Sequence, residues 1–155
     1  MNRQVAILIG FLLLVPVLAF SRITGDMFEL IWPTQGYVTS VFGYRQNPEG
    51  FHGGIDIAGQ TDAGVSAAQN GQVIAASKNF CSRRLGKCVK IDHRVGCVTV
   101  YAHLDEVVAH VGQIVRRGEL IGTVGSSGSR VSGPHLHFEL RCDGVHVNPN
   151  PFFID

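Results

Sequence analysis

The stretch Gly133-Pro134-His135-Leu136-His137-Phe138-Glu139-Leu140 constrains this chain most. Its apolar residues are β-prone, and side chains on a strand alternate between two faces. One face then carries His135, His137 and Glu139, and the other carries Leu136, Phe138 and Leu140. The second set reads as core. The first is costly to bury unless each group has a partner. A metal ion, or a reaction that uses imidazole, supplies one.

A second cluster is Phe51-His52-Gly53-Gly54-Ile55-Asp56-Ile57. On a straight strand His52 and Asp56 would stand about 13 Å apart, too far for one ion. Paired glycines argue against a helix. They also permit a sharp bend, so the sequence supplies a hinge where a shared ion requires one. The third cluster is Tyr101-Ala102-His103-Leu104, at the end of a predicted strand. A lone histidine in such a place is ordinarily satisfied or exposed. Tyr101 reads as packing. His93, His110 and His146 read as turn or surface residues without a role.

The surrounding chain reads as short strands and turns. Glycine provides 19 of 155 residues, about 12% against an average of about 7%. Strands are expected at 37–42, 54–58, 65–68, 72–77, 88–92, 97–103, 113–115, 120–124 and 135–141. A hairpin is expected over 93–96, and another turn at Asn70-Gly71. Residues 43–51 read as a loop around Asn47-Pro48-Glu49-Gly50, and residues 104–110 as one helical turn. The fold class is mainly β: an antiparallel sandwich or partly open barrel with long loops. One helix is expected, the N-terminal apolar one.

At 155 residues the chain suits one domain. Its formal net charge of +1 and short basic pairs make nucleic acid an unexpected partner. Residues 5–20 form an apolar run of 16 behind Arg3. That is a little under the roughly 17–25 residues of a spanning helix. The run fits a secretory signal cut after Ala19, or an uncleaved anchor associated with a membrane. Either exports the rest, so the expected organisation is 1–20 signal or anchor, 21–31 tether and 32–155 functional domain. Cys81, Cys88, Cys97 and Cys142 make an even count on an exported chain, which reads as disulfides. Their number alone leaves three connectivities open.

With these motifs in order, the chain resembles the lysostaphin-type zinc metallopeptidases, which cut the peptides of bacterial peptidoglycan. Their His-x-x-x-Asp motif is matched by His52 and Asp56, Tyr-x-His-Leu by residues 101–104, and His-x-His by His135 and His137. Flanking stretches 40–45, 67–73 and 147–149 are similar too, and the likeness covers about 32–153. Any one motif is weak, but three in order with matching context are specific. The resemblance implies one zinc ion on His52, Asp56 and His137, with His103 and His135 as the catalytic histidines. It implies peptidoglycan peptides as substrate and a periplasmic or envelope location. Two nitrogens and one carboxylate leave zinc a fourth position for water. Glu139 reads either as support for His137 or as a structural ion pair.

The resemblance also bears on the cysteines. If the strand ending at His103 runs antiparallel to the one starting at His135, both near one ion, 103 falls against 136. That register sets Cys97 opposite Cys142, where a bridge is feasible. Cys81–Cys88 is then the second expected pair.

Three competing readings remain. A non-catalytic wall-binding or amidase-activating relative would be expected to lack ligands that are present here. A cupin-like metal oxygenase also uses His-x-His but needs other ligands in a different order. A lipoyl- or biotin-type carrier, suggested by 112–120, needs a modifiable lysine that this stretch lacks.

Overall fold

A computed structural model describes residues 28–46, 49–129 and 131–154. The expected signal or anchor at 1–20, and Asn47-Pro48 of the expected turn, lie outside them. Among the described residues no helix is long and apolar enough to cross a membrane.

Among the described residues twelve strands are present: β1 (Tyr37–Ser40), β2 (Gly43–Gln46), β3 (Glu49–His52), β4 (Ile55–Ala58), β5 (Gly64–Ser66), β6 (Gly71–Ser82), β7 (Gly86–Asp92), β8 (Cys97–Val107), β9 (Ile114–Val115), β10 (Leu120–Val124), β11 (His135–Cys142) and β12 (Val145–Val147). A 3₁₀ turn at Asn150–Phe152 is the only helical element among the described residues. The mainly antiparallel β class is as expected. Ten strands join in one branched sheet with the central order β1-β4-β11-β8-β7-β6-β9; β10 and β12 branch from β8 and β11, and β5 pairs β10. Among the described residues no closed barrel forms. β2 and β3 make a separate two-stranded ribbon.

The centre of the sheet is the β8–β11 pair. Its register sets His137 against Ala102 and Cys142 against Cys97, as the sequence argument expected. Cys97 and Cys142 are bonded, and so are Cys81 and Cys88. On β11, Leu136, Phe138 and Leu140 are fully buried and meet Ile55, Ile57, Tyr101 and Leu104 in the core. Each such side chain contributes about 1.5–3 kcal/mol through burial. That is enough to fix which face of β11 turns inward, since a one-residue slip would exchange the two faces. Phe28 and Leu30, in the segment read as a tether, are buried as well. Leu30 takes part in backbone hydrogen bonds to Phe152 and Ile154 of 2.7 and 2.9 Å.

Three local expectations are corrected. Residues 43–46 and 49–51 are paired strands, not an open loop, because β2 pairs β3 from Gly43–His52 to Gln46–Glu49. Residues 104–107 continue β8 and do not form a helical turn, because Leu104 and Val107 pair with Val124 and Gly122 of β10. The Asn70-Gly71 turn does not close a hairpin: β5 pairs β10, while β6 pairs β7 and β9.

At His103 the long strand β8 changes neighbour. Residues 97–102 pair with β11, and residues from 104 onward pair with β10. Opposite, on β7, the register shifts between Lys87 and Val89. His103 takes up this extra residue with φ of +62°, a left-handed conformation uncommon among non-glycine residues, though histidine, asparagine and aspartate adopt it more often than others.

Candidate metal centre

His52 closes β3 and Asp56 lies in β4, so the backbone between them must double back. Gly53 and Gly54 make the turn, and neither has room for a side chain. A Cβ on Gly53 would run into the His146 ring, and one on Gly54 into the Phe138 carbonyl. The crossing brings His52 Nε2 within 3.1 Å of Asp56 Oδ1. Asp56 pairs with His137 in the sheet, and His137 Nδ1 lies 2.8 Å from the same oxygen. His52 Nε2 and His137 Nδ1 are themselves 3.1 Å apart.

The outer hydrogen bonds decide what these atoms offer each other. His52 Nδ1 donates to the Val41 carbonyl at 2.8 Å, leaving a lone pair on Nε2 of the neutral ring. His137 Nε2 donates to Glu139 Oε1 at 3.1 Å, leaving a lone pair on Nδ1. Two imidazole lone pairs and a carboxylate oxygen therefore converge, three acceptors with no donor of their own. Such a set could hold a cation. With metal–ligand distances near 2.0–2.1 Å, a tetrahedral ion sets its ligands about 3.3 Å apart, close to the spacing here. His52, Asp56 and His137 are the group among the described residues that could hold a metal ion. Burial works to raise Asp56, but hydrogen bonds with His137 and His52 outweigh it and hold the carboxyl well below its ordinary range. Burial works to lower His137, but Asp56 and Glu139 push it up.

Glu139, on the same face of β11 as expected, supports His137. Burial works to raise it, yet His137 and Arg141 keep it below the usual carboxylate range. Arg141 Nε and Nη2 reach Glu139 Oε2 at 2.7 and 2.6 Å. Asp56 has a similar neighbour in Arg45, with Nη2 at 3.3 Å.

His135 and His103 stand beside the three ligand atoms. His135 Nδ1 donates to the Gly133 carbonyl at 2.8 Å, and its Nε2 lies 3.9 Å from Asp56 Oδ1. His103 Nδ1 donates to the Ser127 carbonyl at 2.7 Å. Both rings thus turn a bare Nε2 away from their anchors. The two ring centres are 4.8 Å apart, and His103 is 5.7 Å from His137. Burial pushes His103 down to about 4, against the opposing hydrogen bond that it donates to the Ser127 carbonyl. A cavity of about 260 Å³, lined by His52, Asp56, His103 and His137 among others, opens at the site.

All five expected site residues are therefore brought together. Tyr101 is packing, as read: it is fully buried, and its hydroxyl accepts from the Ala68 amide at 2.8 Å. His110 is exposed. Of the two other histidines, His93 lies in the turn between β7 and β8, as read, and His146 lies in β12. His93 is buried between the Asn70 carbonyl and the Thr99 hydroxyl, at 2.7 and 2.8 Å. His146 donates from Nδ1 to the Gly53 carbonyl at 2.8 Å, bracing the glycine crossing. Arg45, Arg141 and Ser127 were also missed. None belongs to a motif, and only the fold brings them near.

Residues 50–149 match the sequence profile described as Peptidase family M23. The chain is 38% identical over 118 residues to the murein hydrolase activator NlpD of Escherichia coli, covering 76% of this chain and 29% of that protein. It is 42% identical over 118 residues to the DD-carboxypeptidase/endopeptidase Mpg of Neisseria meningitidis, covering 72% of this chain and 26% of Mpg. The chain thus spans under a third of either relative. Among solved structures, a zinc containing peptidase from Vibrio cholerae superposes with a TM-score of 0.68 at 30% identity, over 79% of this chain and 39% of that one.

Proposed function

The chain belongs to peptidase family M23, and on that premise we propose that it is an exported zinc endopeptidase hydrolysing the peptide cross-links of bacterial peptidoglycan. The carrying observation is the convergence of His52 Nε2, Asp56 Oδ1 and His137 Nδ1 within 3.1 Å of one another. Borderline-soft zinc suits two imidazoles and one carboxylate, and three protein ligands leave a coordination position open. When bound there, zinc supplies a Lewis acid for the scissile carbonyl and lowers the pKa of a coordinated water.

The chain's own groups do the rest. His103, kept neutral by burial, offers Nε2 to take the proton from the attacking water. His135, its ring centre 4.8 Å from that of His103, is placed to stabilise the developing oxyanion or protonate the leaving amine. Glu139 holds His137 in the tautomer that presents Nδ1. The Ser127 carbonyl holds His103 in the tautomer that presents Nε2.

The functional domain is 32–155, with 28–31 packed against it. Residues 1–20 serve as signal or anchor, and disulfides at Cys81–Cys88 and Cys97–Cys142 suit an oxidising envelope compartment. A second reading, an activator of amidases that binds wall without cutting it, is favoured by the likeness to a murein hydrolase activator. Digestion of purified sacculi separates the two. Zinc-loaded protein is expected to deplete cross-linked dimers, and a chelator to stop it. Unchanged dimers with zinc-loaded protein would favour the activator.

A further inference from the structure

Beside the cavity at the metal centre lies a second, also of about 260 Å³, lined by Gly53, Ser82, Glu139, Arg141 and His146. Phe51, Arg84 and Leu85 line both. The two are therefore halves of one groove, and Arg84 stands at their junction. Asp56 and Glu139 are the only carboxylates lining the groove among the described residues, and each already has an arginine. Arg84 has no such partner among the described residues, so its charge is free.

The loop carrying Arg84 is held in place. The Cys81–Cys88 bond closes it. The Leu85 amide donates to Ser82 Oγ at 3.1 Å, the Leu85 carbonyl accepts from His103 at 2.9 Å, and the Arg83 carbonyl accepts from Ser129 at 3.0 Å. Gly86, with φ of +63°, packs against Ser127 so closely that a Cβ would collide. A long cationic side chain is thus mounted on a fixed base, next to the place where a scissile bond would sit.

We infer that Arg84 forms a carboxylate-binding subsite, and that the groove selects peptides with a free carboxylate beside the scissile amide. The inference rests on the peptidase reading and gives it a substrate class. A guanidinium pairs with a carboxylate through two parallel hydrogen bonds, which fix orientation as well as charge. Phe51 and Leu85 offer apolar surface to small side chains flanking that carboxylate.

The test uses a cross-linked peptide whose scissile amide is replaced by an uncleavable ketomethylene. Its affinity for the zinc-loaded protein is measured in the free-acid form, with the side-chain carboxylate amidated, and with the terminal carboxylate amidated. One amidation is expected to weaken binding about tenfold, identifying which carboxylate is read. Arg84→Ala and Arg84→Gln are expected to bind all forms alike, whereas Arg83→Ala keeps the discrimination. Equal binding of all forms by the wild type, or preference retained in both Arg84 variants, overturns the inference. Sacculus digestion judges the parent reading separately: a protein that discriminates through Arg84 but cuts nothing sinks the peptidase and leaves the subsite standing.

Discussion

The amide of His103 donates to the carbonyl of Leu85 over 2.9 Å, tying a proposed catalytic histidine to a disulfide-closed loop. Ser127 completes the frame. Its carbonyl takes His103 Nδ1, while its hydroxyl bonds the Lys87 amide and the Leu104 carbonyl at 3.0 and 2.7 Å. The left-handed backbone of His103 is a strained state that persists because these contacts over-determine it.

Opening the Cys81–Cys88 bond should therefore cost turnover before it costs metal. In the Cys81→Ser/Cys88→Ser double variant, kcat is expected to fall at least about tenfold, as for a displaced proton-transfer group. Zinc content should stay at the wild-type level, since no ligand lies on that loop. Stability should drop by about 2 kcal/mol. Steady-state kinetics beside metal analysis reads this out, and unchanged kcat would separate the loop from the catalytic frame.

The two histidine classes should part cleanly on substitution. His52→Ala and His137→Ala are expected to lose both zinc and activity. His103→Ala and His135→Ala should retain zinc and lose activity by about 100-fold or more. Metal stoichiometry of the four purified variants checks the division.

Gly54→Ala probes the crossing that unites His52 with Asp56. The added methyl meets the Phe138 carbonyl in the middle of β11, where neither strand can yield. The variant is expected to lose zinc affinity and at least about 2 kcal/mol of stability. Urea unfolding and zinc titration measure the two effects. Gly144→Ala, where nothing stands within 4 Å, carries only the strain of its own backbone and should keep the metal.

Acid sensitivity should trace in part to His93. Burial lowers its proton affinity in the fold, more than the Asn70 carbonyl and Asp92 raise it. The unfolded chain, with its histidine near about 6.5, then binds more protons below that pH. This contribution to stability is complete above about pH 6.5 and declines as the pH falls. His93→Gln, which does not titrate, should flatten the decline. Urea midpoints of both proteins between about pH 7.5 and about pH 5.5 test the sign.

Much of the site was legible because its chemistry is written in local patterns. Alternation along 135–140 separates the polar face of His135, His137 and Glu139 from the core face, and Gly53-Gly54 marks the place where His52 and Asp56 could be folded together. The register that brings the two histidine strands side by side also pairs Cys97 with Cys142. What stayed hidden depends on contacts distant in sequence. The β2–β3 ribbon looked like a loop because the turn signal Asn47-Pro48 outweighed two short strands. Residues 104–107 looked helical because their partner strand β10 comes later in the chain. His146 and Arg45 carry no motif and gain meaning only beside Gly53 and Asp56.

The central claim is that three acceptors from β3, β4 and β11 share one cation. Zinc titration of the oxidised, metal-stripped protein, read by calorimetry against His137→Ala, addresses it most directly. The account predicts one zinc per wild-type chain and loss of that uptake in the variant. A wild-type protein that takes up no zinc, or a variant that binds it as well as the parent, would contradict it.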